Sequence, residues 1–318
     1  MNIYQSLKDY FYISEVIKTP FNNSLYILRE DLIPYSFGGN KVRKALNFFD
    51  EIIKQGNDIV ITYGSHSSNH ARIIANMAFQ HNIKCIVISP ISDADSMNKL
   101  IIEHLNVEII KTDLNKVSQT IDETIFKYKS LGHNPYFIEG GGHGNPGTKA
   151  YVDVFEQILL YETKNNLKFD YIFFATGTGT TQAGLIAGNI INKSNKQIVG
   201  ISISRTTERA VEIISHSVIE YLNTIKFDNY IFRSEMCNVK DDYIVSGYGT
   251  FNEEIEDTIL QQFRTNGIPL DPTYTGKAFW GMTKYINETN IKNKNILFIH
   301  TGGTPIFFDY IDRRSSNK

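Results

Sequence analysis

The chain has 318 residues, 42% of them hydrophobic and 21% charged, with a formal net charge of −2. That is globular composition for two ordinary domains or one large one, and it offers no Lys/Arg-rich patch with interleaved aromatics for nucleic acid. Cys85 and Cys237 lie far apart and make no CxxC pair or disulfide framework, the first residues show no basic-then-apolar leader, and no apolar run is long enough to span a bilayer, so a cytoplasmic protein off the membrane is expected.

Residues 24–28 read as a short strand. From Lys41 to about Gln55 the apolar residues Val42, Ala45, Leu46, Phe49 and Ile52–Ile53 recur at helical spacing. Strand-type runs at 58–62, 83–88, 107–110 and 136–138 alternate with helical runs at 71–80, 95–105 and 115–130. The alternation continues with a helix over 148–163 and a strand over 171–175. A glycine-rich turn at 176–181 then opens a helix to about Ile191. A strand at 198–203 follows, then helices at about 207–223, 252–265 and 276–287, and a last strand at 296–299. The tail from Arg313 reads as frayed. Strands alternating with helices predict an α/β protein with parallel sheets covered on both faces. Two sets of such units, divided near residue 148, predict two open domains.

In open α/β sheets ligands bind beyond the carboxyl ends of strands. The polar and glycine-rich stretches 64–70, 139–144, 176–181 and 300–303 all fall there, which predicts a site between the two domains. Before the first long helix stands Ser36-Phe37-Gly38-Gly39-Asn40-Lys41. Its glycines permit a tight turn or close approach to a ligand, and Lys41 is a side chain able to form a Schiff base with an aldehyde. The same stretch also suits a plain helix start with a surface lysine. Thr176-Gly177-Thr178-Gly179-Thr180-Thr181-Gln182-Ala183-Gly184 joins a strand to a helix, and its amides and hydroxyls suit a phosphate. It lacks the Gly-Lys-Ser/Thr ending of a P-loop, and the next strand ends Ser202-Ile203-Ser204-Arg205, without the acid a dinucleotide site requires. A small monophosphate ligand is therefore expected.

His66 and His70 are four apart like a metal pair, but the adjacent Glu of a zinc-protease motif and a third ligand are missing, so no metal is expected. Ser68 and Asn69 read either as donors toward an anion or as an ordinary helix N-cap. Tyr248 in Gly-Tyr-Gly and Tyr274 in Asp-Pro-Thr-Tyr-Thr-Gly-Lys stand in glycine or proline settings, and with eighteen tyrosines in the chain packing accounts equally well for each alone.

In this order and at these separations, the stretches resemble the fold-type II pyridoxal-phosphate enzymes, in the branch of D-cysteine desulfhydrase and 1-aminocyclopropane-1-carboxylate deaminase. The markers are Gly38-Gly39-Asn40-Lys41, Ser68-Asn69-His70, Gly177–Gly184, Gly247-Tyr248-Gly249, Asp271–Lys277 and His300-Thr301-Gly302-Gly303. The resemblance implies two open twisted parallel-sheet domains like those of the tryptophan synthase β subunit, with the active site between them. A larger cofactor domain would comprise 1–45 plus 149–318, and a smaller one 46–148. It implies that Lys41 binds the cofactor covalently and moves the Cα proton, and that Asn69 hydrogen-bonds the pyridine 3-oxygen. Gly177, Thr178, Gly179, Thr180 and Thr181 would hold the phosphate, and Ser68 with Asn69 and His70 the substrate carboxylate. Tyr248 and Tyr274 would flank the substrate and serve proton transfer or leaving-group handling. A homodimer is also implied.

The chain departs from the family pattern at Ser67, at Thr250-Phe251 and at Gly142-His143-Gly144. Within the branch, the deaminases resemble Tyr-Glu-Gly-Lys, with the acid at the pyridine nitrogen, where this chain has Tyr274-Thr275-Gly276-Lys277. They also tend to carry an apolar residue where it has Thr301. A hydroxyl partner leaves the ring nitrogen largely unprotonated, since no anion favours its charged form. That suits β-elimination with a good leaving group better than ring opening. A pyridoxal-phosphate lyase acting on a small amino acid, D-cysteine first, is the expectation. The deaminase, a β-replacement synthase and a racemase are alternatives of the same fold. A non-catalytic protein binding a phosphate ligand is the alternative of another class, and it would be expected to lack Lys41 or both tyrosines.

Overall fold

A computed structural model describes residues 3–18 and 22–316. In chain order the elements are α1 (Ile3–Lys8), β1 (Ile13–Lys18), β2 (Ser24–Arg29), α2 (Asn40–Gln55), β3 (Ile59–Tyr63), α3 (Asn69–Gln80), β4 (Lys84–Pro90), α4 (Met97–Glu103), β5 (Glu108–Thr112), α5 (Val117–Ser130) and β6 (Pro135–Ile138). They continue with α6 (Asn145–Asn165), β7 (Tyr171–Thr176), α7 (Thr180–Ile191), β8 (Gln197–Ser202), α8 (Thr207–Thr224), β9 (Asn238–Lys240), α9 (Glu253–Asn266), α10 (Thr275–Glu288), β10 (Asn295–His300) and α11 (Thr304–Ser316).

The strands form two sheets. The larger has the order β1-β2-β10-β7-β8-β9 and the smaller β5-β4-β3-β6. All pairings are parallel except β1 with β2 at one edge. Helices cover both faces of a parallel sheet, so its central strands lose the alternation of a half-exposed strand. Ile296 to Ile299 of β10 and Ile172 to Phe174 of β7 are accordingly buried without interruption. Phe298 stands opposite Ile27 on one side and Phe173 on the other.

Four of these elements, α1, β1, β9 and α11, escape the sequence pattern. The first three are short or lie at a sheet edge. The last corrects an expectation, because α11 runs through Arg313 and Arg314 to Ser316 where a frayed tail is predicted. Ile306, Phe307 and Tyr310 bury one face of it, the Tyr310 hydroxyl donates to Glu256 at 3.0 Å, and Arg314 pairs with the same carboxylate. The final two residues of that predicted tail lie outside the described residues. No helix of the described residues is long and apolar enough to cross a membrane.

Helix α2 belongs to neither sheet alone. Val42, Ala45, Leu46, Phe49 and Ile52 pack with Ile74 of α3 and Val60 of β3, while Asn47 donates to the carbonyl of Pro146 at the start of α6 at 3.1 Å. Arg43 fixes the helix at its first turn. Its Nε lies 2.7–2.8 Å from both oxygens of buried Glu30. Its remaining nitrogens donate to the Lys8 carbonyl at 3.2 Å, the Gln157 side chain at 3.2 Å and the Tyr10 carbonyl at 2.6 Å. A buried charge is tolerated when it is paired and its donors are used, and both conditions are met here.

Candidate active site

A cavity of about 750 Å³ opens beyond the carboxyl ends of β3, β6, β7 and β10, between the two sheets. Lys41, Ser68, Asn69, His70, Gly177, Thr178, Gly179, Thr181, Tyr248, Tyr274 and Thr301 all line it. Of the residues the sequence singles out for the site, Thr180 does not reach the lining. Its side chain is buried and its Oγ1 lies 3.1 Å from His143 Nδ1.

The lysine wall is set by the glycine turn. Gly38 and Gly39 have φ of 62° and 107°, and a Cβ on Gly38 would strike the backbone of Asp31, so no other residue fits there without strain. The Gly39 N–H donates to the Glu30 carbonyl at 2.7 Å and the Asn40 N–H to that of Thr301 at 3.0 Å. Lys41 follows, its Nζ 3.3 Å from Asn40 Oδ1, while Asn40 Nδ2 donates to Thr181 Oγ1 at 3.2 Å. Burial lowers the Lys41 amine to about 8. Lys44, one turn on, faces the same cavity and donates to the Gly141 carbonyl at 3.3 Å. Burial and the nearby Lys41 charge push its amine well below the usual range. Among the described residues neither amine is paired with a carboxylate, so both are open to a ligand, and burial favours their neutral, nucleophilic form.

The glycine-threonine turn faces them. Gly179 is the N-cap of α7 with φ of 90° and no side-chain cap. The first N–H groups of a helix have no intrahelical acceptor, and here no side chain supplies one. Together with the helix dipole they form an anion seat. A Cβ on Gly179 would stand 2.8 Å from Ile214. Arg205 lines the same side and donates to the Gly177 carbonyl at 2.8 Å.

The turn after β3 is built differently. Ser68 caps α3, accepting from the Ala71 N–H at 3.1 Å, so the capping reading holds while its hydroxyl hydrogen still serves the cavity. Thr62 gives its one hydroxyl hydrogen to the Ile138 carbonyl at 2.8 Å, so in its 2.9 Å contact with His70 Nε2 the imidazole must donate. Burial, with Lys41 and Lys44 nearby, pushes the His70 ring well below its usual range, so it is neutral. What His70 can offer an anion is its backbone N–H in the first turn of α3. Among the described residues no three His, Cys, Asp or Glu side chains gather as a metal site.

Across the cavity the hydroxyls of Tyr248 and Tyr274 lie 2.6 Å apart. Burial raises the Tyr274 phenol well above its usual range. Asp271 holds the start of α10, accepting from the N–H groups of Thr273, Tyr274 and Thr275 at 2.8–3.1 Å and from the Thr275 hydroxyl at 2.7 Å. Thr275 therefore turns to Asp271 and does not line the cavity, whereas Thr301 does. Lys277 donates to the carbonyls of Ile244 and Gly247 at 2.8 and 2.9 Å, tethering the segment that carries Tyr248. The one acid in the lining is Glu139, on the loop after β6.

Lys44, His143 and Arg205 were not foreseen as site residues. Lys44 had a legible signal, since a residue three beyond Lys41 shares its helix face. His143 shows only as a departure in its loop, and Arg205 only as the absence of an acid.

The sequence pattern of the family described as pyridoxal-phosphate dependent enzyme matches residues 13–302. A D-cysteine desulfhydrase of Yersinia enterocolitica is 30% identical over 295 residues, 90% of this chain and 88% of the relative. A solved structure of an ACC deaminase homologue superposes with a TM-score of 0.87 at 29% identity, covering 96% of this chain and 93% of that one. A hydrogen sulfide-producing enzyme from Fusobacterium nucleatum shares the fold, with a TM-score of 0.66 at 17% identity over 96% of this chain and 98% of its own. The two-sheet architecture is that of fold-type II. The donor set of the cavity fits pyridoxal phosphate: an uncapped helix N-terminus for its phosphate, and buried lysine amines for its aldehyde.

Proposed function

The chain belongs to the pyridoxal-phosphate dependent enzymes, and from that premise we propose that it is a lyase catalysing β-elimination from a small D-amino acid, D-cysteine first. The observation that carries this reading is Thr301 on the cavity wall, while the nearby carboxylate of Asp271 is spent on the start of α10 and does not line the cavity. Bound pyridoxal phosphate supplies an electron-accepting ring conjugated to the substrate amine. With Thr301 rather than a carboxylate as its partner, that acceptor would be weakened, and a substrate whose leaving group departs readily is favoured.

The chain's own residues do the rest. Gly177 to Thr181 would hold the phosphate through the open amides of α7, with Lys44 and Arg205 as further donors on the same wall. Asn69 donates to the pyridine 3-oxygen. Ser68 and the backbone N–H groups of Asn69 and His70 hold the substrate carboxylate. Lys41 would hold the cofactor through its aldehyde, and as a free amine it is the base placed to take the substrate's Cα proton. The Cα–H and Cβ–S bonds break as a Cα–Cβ double bond forms. The paired phenols of Tyr248 and Tyr274 stand where the departing sulfur can collect a proton. Addition of water to the enamine released then gives pyruvate and ammonia beside sulfide.

Likeness to the ACC deaminase homologue supports ring opening as a second reading. Ser67 and the Gly142-His143-Gly144 loop leave other β-substituted alanines open. The proposal extends to a cytoplasmic homodimer with a cofactor domain of 1–45 plus 149–318 and a smaller domain of 46–148. The deciding measurement compares turnover of D-cysteine, L-cysteine, β-chloro-D-alanine and aminocyclopropane carboxylate on one cofactor-loaded preparation. Pyruvate and sulfide from D-cysteine are expected. Efficient ring opening with inert D-cysteine overturns the assignment.

A further inference from the structure

Arg72, in the first turn of α3, is the largest fully buried side chain among the described residues. Among the described residues no carboxylate pairs with it and its Nη2 has no hydrogen-bond partner, while the Phe37 ring lies 5.7 Å from its charge. Burial lowers the guanidinium to about 9, so it remains protonated at neutral pH. An unpaired buried cation is costly, and its two hydrogen bonds show what it holds. Nη1 donates to Ser36 Oγ at 2.9 Å, at the turn leading to Lys41. Nε donates to Asn98 Oδ1 at 2.7 Å.

A guanidinium has donors only, so Asn98, itself fully buried, must show it the amide oxygen. The Asn98 nitrogen then faces the other way. It donates to the Ser67 carbonyl at 2.8 Å and to Asn69 Oδ1 at 3.0 Å. Both ends of the Asn98 amide are thus fixed, one by a group that can only donate and the other by a carbonyl that can only accept. The oxygen of Asn69 is consumed, and its NH2 is left at the cavity with no acceptor among the described residues. An amide turned end for end would fill the same space, so without this relay the cavity could as well meet an acceptor.

We propose that Arg72 and Asn98 are positioning residues that, through a relay of fixed hydrogen-bond polarity, hold the Asn69 NH2 toward the cavity as donor to the cofactor's 3-oxygen. The inference rests on the reading of the cavity as a pyridoxal phosphate site. Ser36 places the same guanidinium behind the Lys41 turn, so one buried charge registers both the donor and the lysine.

The test is Asn98→Asp in the full chain, read by titrating cofactor-free protein with pyridoxal phosphate and following absorbance. The substitution keeps the shape and gives Arg72 a carboxylate, but removes the hydrogens that Asn69 and Ser67 require. The Asn69 amide then turns its NH2 to the new carboxylate and its oxygen to the cavity. Binding is expected to weaken at least tenfold, the cost of a hydrogen bond to a charged group. The absorbance of the bound cofactor should also titrate at higher pH, because an acceptor facing the 3-oxygen disfavours its anion. In an Asn69→Ala background the same substitution should cost less than twofold, since the relay has lost its output. An undiminished tenfold cost in that background would mean a purely structural role and overturn the relay. So would N98D binding as the natural chain does, with its pH titration unmoved. If N98D does not fold, Asn98→Ala goes through the same cycle, and its cost must likewise vanish beside Asn69→Ala. Failure of the unaltered cofactor-free protein to bind pyridoxal phosphate defeats the reading of the site and the relay together.

Discussion

Two of the helix N-termini at the cavity, those of α3 and α7, are finished in opposite ways. At α3 the Ser68 side chain caps the helix and the neighbouring groups are locked by side chains, His70 by Thr62 and Asn69 by Asn98. At α7 the N-cap is Gly179, nothing caps it, and the turn presents bare amides. The difference reflects what each can recognise. A phosphate carries charge on several oxygens and is met by amides that have no other acceptor. A planar ring and a carboxylate need donors at defined points, and defined points need rigid side chains. A cap at α7 would compete with the ligand, and an uncapped α3 would leave the donors without a fixed frame.

The largest expected effect removes what both turns surround. Lys41→Ala should lower turnover by at least about 10³-fold, since a general base alone contributes about 10²–10⁴-fold, and borohydride should no longer fix the cofactor at this position in peptide mapping. An adduct that persists on Lys44 would show that the turns frame the wrong lysine. Tyr274→Phe comes next. It lies opposite both turns, so turnover should fall about 10²-fold while the spectrally titrated cofactor affinity stays put.

Thr178→Val then probes the α7 side. Loss of a hydrogen bond to a charged group costs about 1.5–3 kcal/mol, and it should appear as weaker cofactor retention on dialysis, with the melting temperature of the cofactor-free protein little changed. Below that stands a pH effect. Lys41 attacks the cofactor only as the free amine, and burial lowers it to about 8. Attachment to cofactor-free protein should therefore quicken as pH rises from 6 toward 8 and level off above. A flat stopped-flow profile across that range would place the reactive amine elsewhere. Ser68→Ala is the smallest, costing about 1 kcal/mol of stability for the lost cap, read as a lower melting temperature without cofactor. Should Thr178→Val destabilise the cofactor-free protein as much, the contrast between the turns is lost.

The long parallel strands and amphipathic helices were legible because burial on both faces or one face writes itself into apolar spacing. β9, three residues long, carries too few residues for such a pattern, and β1 is an antiparallel edge whose Ser14, Glu15 and Lys18 interrupt an apolar run. The site was legible where its chemistry lies in consecutive residues, as at Gly177 to Thr181 or Gly38 to Lys41. It was opaque where the chemistry depends on partners distant in the chain. Nothing near residue 98 announces that Asn98 fixes Asn69, and Arg72 stands in an apolar helix start as a charge without an evident purpose. Thr275 shows the converse: its position in the motif suggests the ring nitrogen, but a neighbour four residues earlier, Asp271, captures its hydroxyl.

The carbonyls of Lys8 and Tyr10 accept two of the hydrogen bonds of Arg43, two residues from Lys41. The leading segment is thus part of the mounting of the reactive amine, although it touches nothing in the cavity. A protease that clipped the chain after Tyr10 would, once the piece left, strip both carbonyls from Arg43; Gln157 would still meet Nη1, but Nη2 would be a buried donor unmatched, a loss of about 1–3 kcal/mol. The nicked protein would keep every lining residue and still seat its lysine poorly. Its activity would fade from the first ten residues inward, a form of ageing that an inventory of the site would never reveal.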